Sequence, residues 1–229
     1  MDFDFLSDTM GKLLAGVPMT LELALISTTA GAVLAVLLAV ARAAFVPAAW
    51  FVRGYVYVLR GTPLLLQIFL IYYGLGQFAW VRDTILWPFL RQPYWCAILA
   101  LTINTAAYGA EIIRGGLQSV PAGAVEAGRA AGMPRLLLYR RIILPIAIRQ
   151  ALPAYGNEII TMVKATSLAS IVTLMELSGI AYSIISETYR ALEVFLCAGT
   201  IYLVITFVLT RAVAGVETWL NPHLRASRT

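Results

Sequence analysis

Charge is scarce in this sequence. Only 13% of its 229 residues are Asp, Glu, Lys or Arg, and it has one histidine and two cysteines. A water-soluble domain averages about 25% charged and about 45–50% apolar residues. A chain that is 60% hydrophobic cannot hide that surface in one water-facing core, so lipid is its natural solvent. The lone histidine, His223, stands beside Pro222 near the C-terminus. No Ser/His, His/Glu or paired-Asp arrangement is apparent within the apolar runs, which argues against an intramembrane enzyme. Cys96 and Cys197 sit in separate apolar runs, a spacing that suits neither a zinc site nor a disulfide framework, and both read as small core residues. No Gly-x-x-x-x-Gly-Lys-Ser/Thr loop occurs, so this chain has no Walker-type cradle for ATP phosphates. A secretory signal is missing too: Asp2, Asp4 and Asp8 stand where a positive segment would be needed. The first apolar run is therefore expected to persist as a span.

What is present is a series of long apolar stretches. A helix crossing the hydrocarbon needs about 20 mostly apolar residues. Five stretches qualify: Val17–Ala41, Tyr55–Phe78, Tyr94–Ile113, Leu152–Leu174 and Val194–Val213. The second is interrupted by Arg60-Gly61-Thr62-Pro63. Either this break lines a cavity or, more simply, the span begins at Leu64. The basic residues fall unequally on the two sides. Four (Lys12, Arg82, Arg91 and Arg190) lie on one side, against twelve on the other, which include Arg42, Arg53, Arg60, Arg211, Arg225 and Arg228. The positive-inside bias places the N-terminus outside and the C-terminus in the cytoplasm, in keeping with an odd number of spans. Tyr72, Tyr73, Trp80 and Trp87 read as an aromatic belt at the outer interface. The chain has the length of one membrane domain, residues 1–229, and shows no internal repeat.

The least membrane-like part is residues 114–151, with Pro121, Pro134, Pro145 and half of the cytoplasmic bases. Within it, Ala122–Ala131 reads as a short helix stopped by Gly132 and Pro134. Such a helix is either a docking element or a solvated interfacial helix without a partner.

Two motifs in this loop, Glu126-Ala127-Gly128-Arg129-Ala130-Ala131-Gly132 and, nine residues on, Ile142-Ile143-Leu144-Pro145, resemble the cytoplasmic signature of binding-protein-dependent ABC importer permeases. Gly128 replaces the usual alanine and the spacing fits. Three further stretches resemble the polar amino-acid branch (histidine, glutamine, arginine, opine) of that family. They are Arg60-Gly61-Thr62-Pro63-Leu64-Leu65-Leu66-Gln67; Asn104 to Gly116; and Leu152 to Glu158 running into Lys164-Ala165-Thr166-Ser167-Leu168. The resemblance implies an all-α type I permease with five transmembrane helices and a cytoplasmic coupling helix, N-out and C-in, in the bacterial inner membrane. It also implies three kinds of partner: an ATPase dimer that holds ATP and Mg, a second permease, and a periplasmic substrate-binding protein. No cofactor is expected in this chain itself. Glu126, Ala127, Gly128, Arg129, Ala130, Gly132 and Pro145 would then meet the ATPase, the small residues letting backbones approach.

An ionisable residue inside the bilayer is a functional candidate by default. Glu158 is one, and its two readings are a structural pair with a neighbouring helix and a subsite for a substrate cation. In the resembling family, basic-amino-acid members carry a glutamate here and an aspartate after the lysine. Ala165 departs from that pattern, which points to a non-identical second permease and a basic amino acid or opine as substrate. Asn104, Tyr108 and Glu111 share one helix face, which either lines a path or hydrogen-bonds between helices. Asn157, Thr166 and Ser167 complete the substrate-path candidates. The competing function is a stand-alone ion-coupled carrier or channel for small polar solutes.

Overall fold

The computed structural model describes residues 3–220; His223, Arg225 and Arg228 lie outside them. Twelve α-helices follow one another among the described residues: α1 (Phe3–Leu14), α2 (Val17–Ala44), α3 (Val46–Gly61), α4 (Leu64–Phe69), α5 (Ala79–Arg82), α6 (Trp87–Leu90), α7 (Pro93–Gln118), α8 (Ala122–Ala130), α9 (Arg135–Leu138), α10 (Leu144–Ala165), α11 (Leu177–Thr188) and α12 (Ala191–Leu220). No strand occurs among the described residues. Helices dominate because hydrocarbon offers no donors or acceptors, so each backbone group must be satisfied within the chain.

Three stretches are long and apolar enough to cross a membrane alone: Phe3–Ala44, Pro93–Gln118 and Ala191–Leu220. Two bent pairs, Val46–Gly61 with Leu64–Gln77 and Arg135–Val172 with Leu177–Thr188, raise the number to as many as five. The 42-residue first stretch would measure about 63 Å at 1.5 Å per residue, twice the hydrocarbon thickness, so only part of it can cross. The helix α1, which the sequence pattern did not suggest, explains the excess. It turns Asp8 and Lys12 outward as an ion pair of 2.7 Å and packs Leu13 against Leu177, Ala181 and Val194 of α11 and α12.

The break in the second stretch is a bend of 106° between two helical arms. Helical structure does not begin at Leu64: α3 precedes the break and packs Val52 and Val56 against Ala106, Ala107 and Ala110 of α7. Beyond it, α4 runs into a π-helical turn at Leu70–Gly74. A second π turn, Tyr139–Ile143, lies just before Pro145. A proline has no N–H to offer the preceding turn, and a local widening of the helix is one way to absorb that defect.

The hub is α7, which lies between α2, α3, α4 and α10. Small residues allow this crowding. A Cβ on Gly31 of α2 would strike the Thr105 methyl of α7, and one on Gly116 would stand 2.6 Å from the Ala147 carbonyl oxygen of α10. Helix packing in lipid depends on such close approach, because the surrounding hydrocarbon supplies no hydrophobic drive. Cys96 and Cys197 are free and buried, as core residues should be. We expect Gly116→Ala to lower stability by about 1–3 kcal/mol, since a backbone oxygen cannot step aside. Gly199→Ala, where a Cβ meets nothing within 4 Å, should leave it unchanged. Unfolding of the two variants in detergent, followed by circular dichroism, compares them directly.

Candidate functional site

The backbone break at residues 59–63 opens carbonyls that a continuous helix would close. Gln67, only 6% exposed, closes them: its Nε2 donates to the Leu59 carbonyl (2.8 Å), the Thr62 carbonyl (3.1 Å) and Thr62 Oγ1 (2.9 Å). Asn104 of α7 donates in turn to Gln67 Oε1 at 3.0 Å, and Tyr55 donates to the Ile103 carbonyl at 2.5 Å. The polar stripe on α7 thus faces α3. Asn104 supports the break, the Arg60 guanidinium lies 5.0 Å from the Tyr108 ring centre, and Glu111 is held by Arg42 at 2.7 Å and by Arg114 at 2.6 Å. The structure places this stripe at a helix junction, where Asn104 bonds to α4 and Glu111 to α2, while Tyr108 lies against Arg60 of α3.

Glu158 lies on α10, half-buried, and accepts a hydrogen bond from Thr105 Oγ1 at 2.8 Å. The charge of Arg60 acts on it. Lys164 makes no ion pair with it; the lysine is exposed on α10, with no carboxylate partner among the described residues. Asn157, Thr161 and Lys164 recur at intervals of four and three and are all exposed, so they form one polar stripe on a helix of the bundle. Ser167 continues from this helix into the 3₁₀ turn Thr166–Val172 and is bonded to the Lys164 carbonyl at 2.7 Å. Thr166 does not join the stripe: it is fully buried and its hydroxyl donates to the Val163 carbonyl at 2.7 Å. The structure therefore brings Glu158 and Thr105 together, leaves Asn157 and Lys164 open to an outside surface, and sets Asn104 and Thr166 into the protein.

The loop residues divide in the same way. On α8, Glu126, Ala127, Arg129 and Ala130 are exposed. Gly128 is the exception: it is buried, and a Cβ there would meet Leu138 Cδ1 and Ile142 Cδ1. The expectation that Gly128 admits a partner's backbone is corrected, because the space it saves is taken by the chain's own α9 and the turn after it. Gly132 has φ +74°, the left-handed conformation that ends many helices. Its N–H bonds the Arg129 carbonyl at 2.9 Å, while Met133 N–H bonds the Gly128 carbonyl at 3.1 Å, a pair that closes the C-terminus of α8. Pro145 is half-buried in the first turn of α10, so it shapes the arm more than it offers a contact.

Glu176 escaped the sequence reading. It is 0% exposed and caps α11, accepting from Gly179 N–H at 2.8 Å, from Tyr202 Oη–H at 3.0 Å and from Thr20 Oγ1 at 3.4 Å. Thr20 Oγ1 also receives the Leu177 N–H at 3.1 Å. One carboxylate thereby joins α2, α11 and α12 at the second bend. A local signal existed in the acidic residue at the edge of an apolar run with glycine three positions on, the pattern of a helix N-cap, but nothing in it names Thr20 or Tyr202.

The family described as binding-protein-dependent transport system inner membrane component matches residues 27–225. The octopine transport system permease protein OccM of Rhizobium meliloti is 56% identical, over 100% of this chain and 94% of that protein. The nopaline transport system permease protein NocM of Agrobacterium fabrum is 54% identical, over 99% of this chain and 95% of that one. The histidine/lysine/arginine/ornithine transport system permease protein HisM of Escherichia coli K12 is 41% identical, over 96% and 94%. Among solved structures, an amino acid ABC transporter crystallised with histidines matches with a TM-score of 0.85 at 35% identity, over 95% of this chain and 98% of that one. An inward-facing MetNI methionine transporter shares the fold, with a TM-score of 0.71 at 22% identity over 92% and 97%.

Replacing Gln67 by Leu should leave the Leu59 and Thr62 carbonyls and the Asn104 amide short of partners. We expect a loss of about 1–3 kcal/mol, measured as an earlier midpoint in denaturation of the purified chain by dodecyl sulfate.

Proposed function

The chain belongs to the binding-protein-dependent transport system inner membrane component family, and from that membership we propose how its surfaces divide the work of import. It is the inner-membrane permease subunit of an ATP-binding-cassette importer. The finer reading is that one membrane domain crosses the bilayer five times, N-terminus outside and C-terminus in the cytoplasm. The excess of arginine around α8 and the C-terminal end of α7 supports that sidedness. On this reading α8 is the coupling helix. Its exposed Glu126 and Arg129 face a groove of the ATPase, where ATP and Mg are held, and the closed C-terminus at Gly132 gives a short, stiff lever.

The observation that carries the substrate path is the polar stripe Asn157, Thr161 and Lys164, exposed on α10 beside the half-buried Glu158. A polar face turned out of a membrane bundle must meet water or another polar surface. A second permease, packed against this face, would enclose the path between the two subunits. Glu158 then pairs with the cationic end of a basic amino acid or opine, while Thr105 fixes its orientation. Ala165 places no second carboxylate beside the path. That suits an opine, whose additional carboxylate a nearby aspartate would repel, and it suits a non-identical partner permease that completes the site. A periplasmic binding protein delivers the substrate, and alternating access follows from rocking of the two permeases.

The test is uptake by proteoliposomes holding this chain with an ATPase, a second permease and a binding protein. ATP-dependent accumulation of octopine or arginine is the expected result; movement of solute by the lone chain without nucleotide would overturn the reading. Glu126→Lys should abolish ATP-driven uptake while the chain still folds, checked by its unchanged elution from a sizing column. Glu158→Gln should lower kcat/KM for cationic substrates by about tenfold, the loss of one charge-assisted contact worth about 1.5–3 kcal/mol at its lower end. Unchanged uptake in either variant would remove that residue from its role.

A further inference from the structure

A groove of about 460 Å³ lies at the junction of α2, α3 and α7, and Arg42, Arg53, Tyr57, Arg60, Tyr108 and Glu111 line it. Its charges do not balance. Glu111 is the one carboxylate lining it, and that group is already shared by Arg42 and Arg114. Arg53 and Arg60 have no ion pair among the described residues. Each guanidinium instead lies over an aromatic ring, Arg53 at 5.5 Å from Trp50 and Arg60 at 5.0 Å from Tyr108. Glu158 feels the charge of Arg60 but makes no ion pair with it, lines no part of the groove and already accepts from Thr105.

The rim gives the setting. Trp50 is 68% exposed and Tyr57 81%, on the same helix as the two arginines. Phe45 and Val46, at the α2–α3 corner, are exposed as well. Aromatic residues beside guanidiniums at the end of a span are the composition of a membrane–water interface, where amphipathic rings sit at headgroup level. Guanidinium presents a planar fork of donors that matches phosphate oxygens, and basic pockets between membrane helices hold anionic headgroups.

We propose that this groove is a binding site for the headgroup of an anionic phospholipid, with Arg53 and Arg60 holding the phosphate and Trp50 and Tyr57 resting at the headgroup level. Arg42 adds charge but is tied to Glu111, so its share is smaller. The inference rests on the membrane placement given above, though not on transport. A lipid seated here would brace α3 against α7 on the side where the Gln67–Asn104 clamp holds the bend, and so link bilayer charge to the geometry of the break.

Native mass spectrometry of the full chain, released from detergent with added phosphatidylglycerol, phosphatidylcholine or inorganic phosphate, tests this. Phosphatidylglycerol should be retained in preference to phosphatidylcholine, and Arg53→Gln with Arg60→Gln should weaken that retention by roughly fivefold for each guanidinium lost. Arg53→Lys, which keeps the charge and loses the fork, should fall between the two and guards against a folding defect. Equal retention of both lipids, or undiminished retention by the double variant, would overturn the site. Displacement of the lipid by millimolar phosphate alone would do the same, marking a free-anion site. Uptake assays separate this from the permease reading: lipid binding that survives a failure of ATP-driven uptake sinks only the transport role, and the reverse outcome sinks only the lipid site.

Discussion

A backbone carbonyl that loses its helical partner inside a protein needs another donor, and the bend between α3 and α4 frees two of them, at Leu59 and Thr62. The fold around the bend follows from that constraint. Gln67 supplies donors from one turn beyond the break, and Asn104 fixes the Gln67 amide from the neighbouring helix. Because the clamp joins α7 to both arms of the bend, the direction of α4 is set by α7 as well as by the break itself. A proline at position 63 makes a straight continuation costly, and the side-chain amides make the bent form the satisfied one.

The same accounting explains the second bend. The chain leaves a 3₁₀ turn at Val172, passes Thr173 at φ 68° and restarts at α11 under the cap of Glu176. A fully buried carboxylate is costly unless donors surround it. Here a backbone amide, a phenol and a threonine hydroxyl do so, each from a different part of the bundle. Both irregular points therefore act as joints whose polar groups are closed by neighbouring helices. Between them lies α7, whose glycine and alanine surfaces let α2 and α10 approach closely enough for Thr105 to reach Glu158.

These joints also separate roles that look alike in sequence. Asn104 and Glu158 are both polar residues in apolar runs. The first is 7% exposed and spends its donors on the bend, while the second keeps one carboxylate oxygen apart from its bond to Thr105. Likewise Gly128 and Ala127 are neighbours in one motif, yet one is packed beneath α8 and the other stands on its open side. Charge follows the same logic: Glu111 is consumed by two arginines, whereas Arg53 and Arg60 rest on aromatic rings and remain available to an anion.

Much could be read without coordinates, because composition and periodicity report on solvent. Sixty per cent hydrophobic residues, their grouping into lengths that match a bilayer, and the unequal placement of arginine speak for lipid whatever the packing. The helix at Ala122–Ala130 was legible too, since its stop signals are local. What only the tertiary structure decided is which polar groups meet. The α1 helix, the clamp on the 106° bend and the cap formed by Glu176 depend on partners dozens of residues away, and the inward turn of Gly128 on Leu138 and Ile142 beyond its own helix. Thr20 and Glu176 are 156 positions apart, and no short window of sequence can pair them, because in a membrane bundle the choice of partner is made by helix contact rather than by chain neighbourhood.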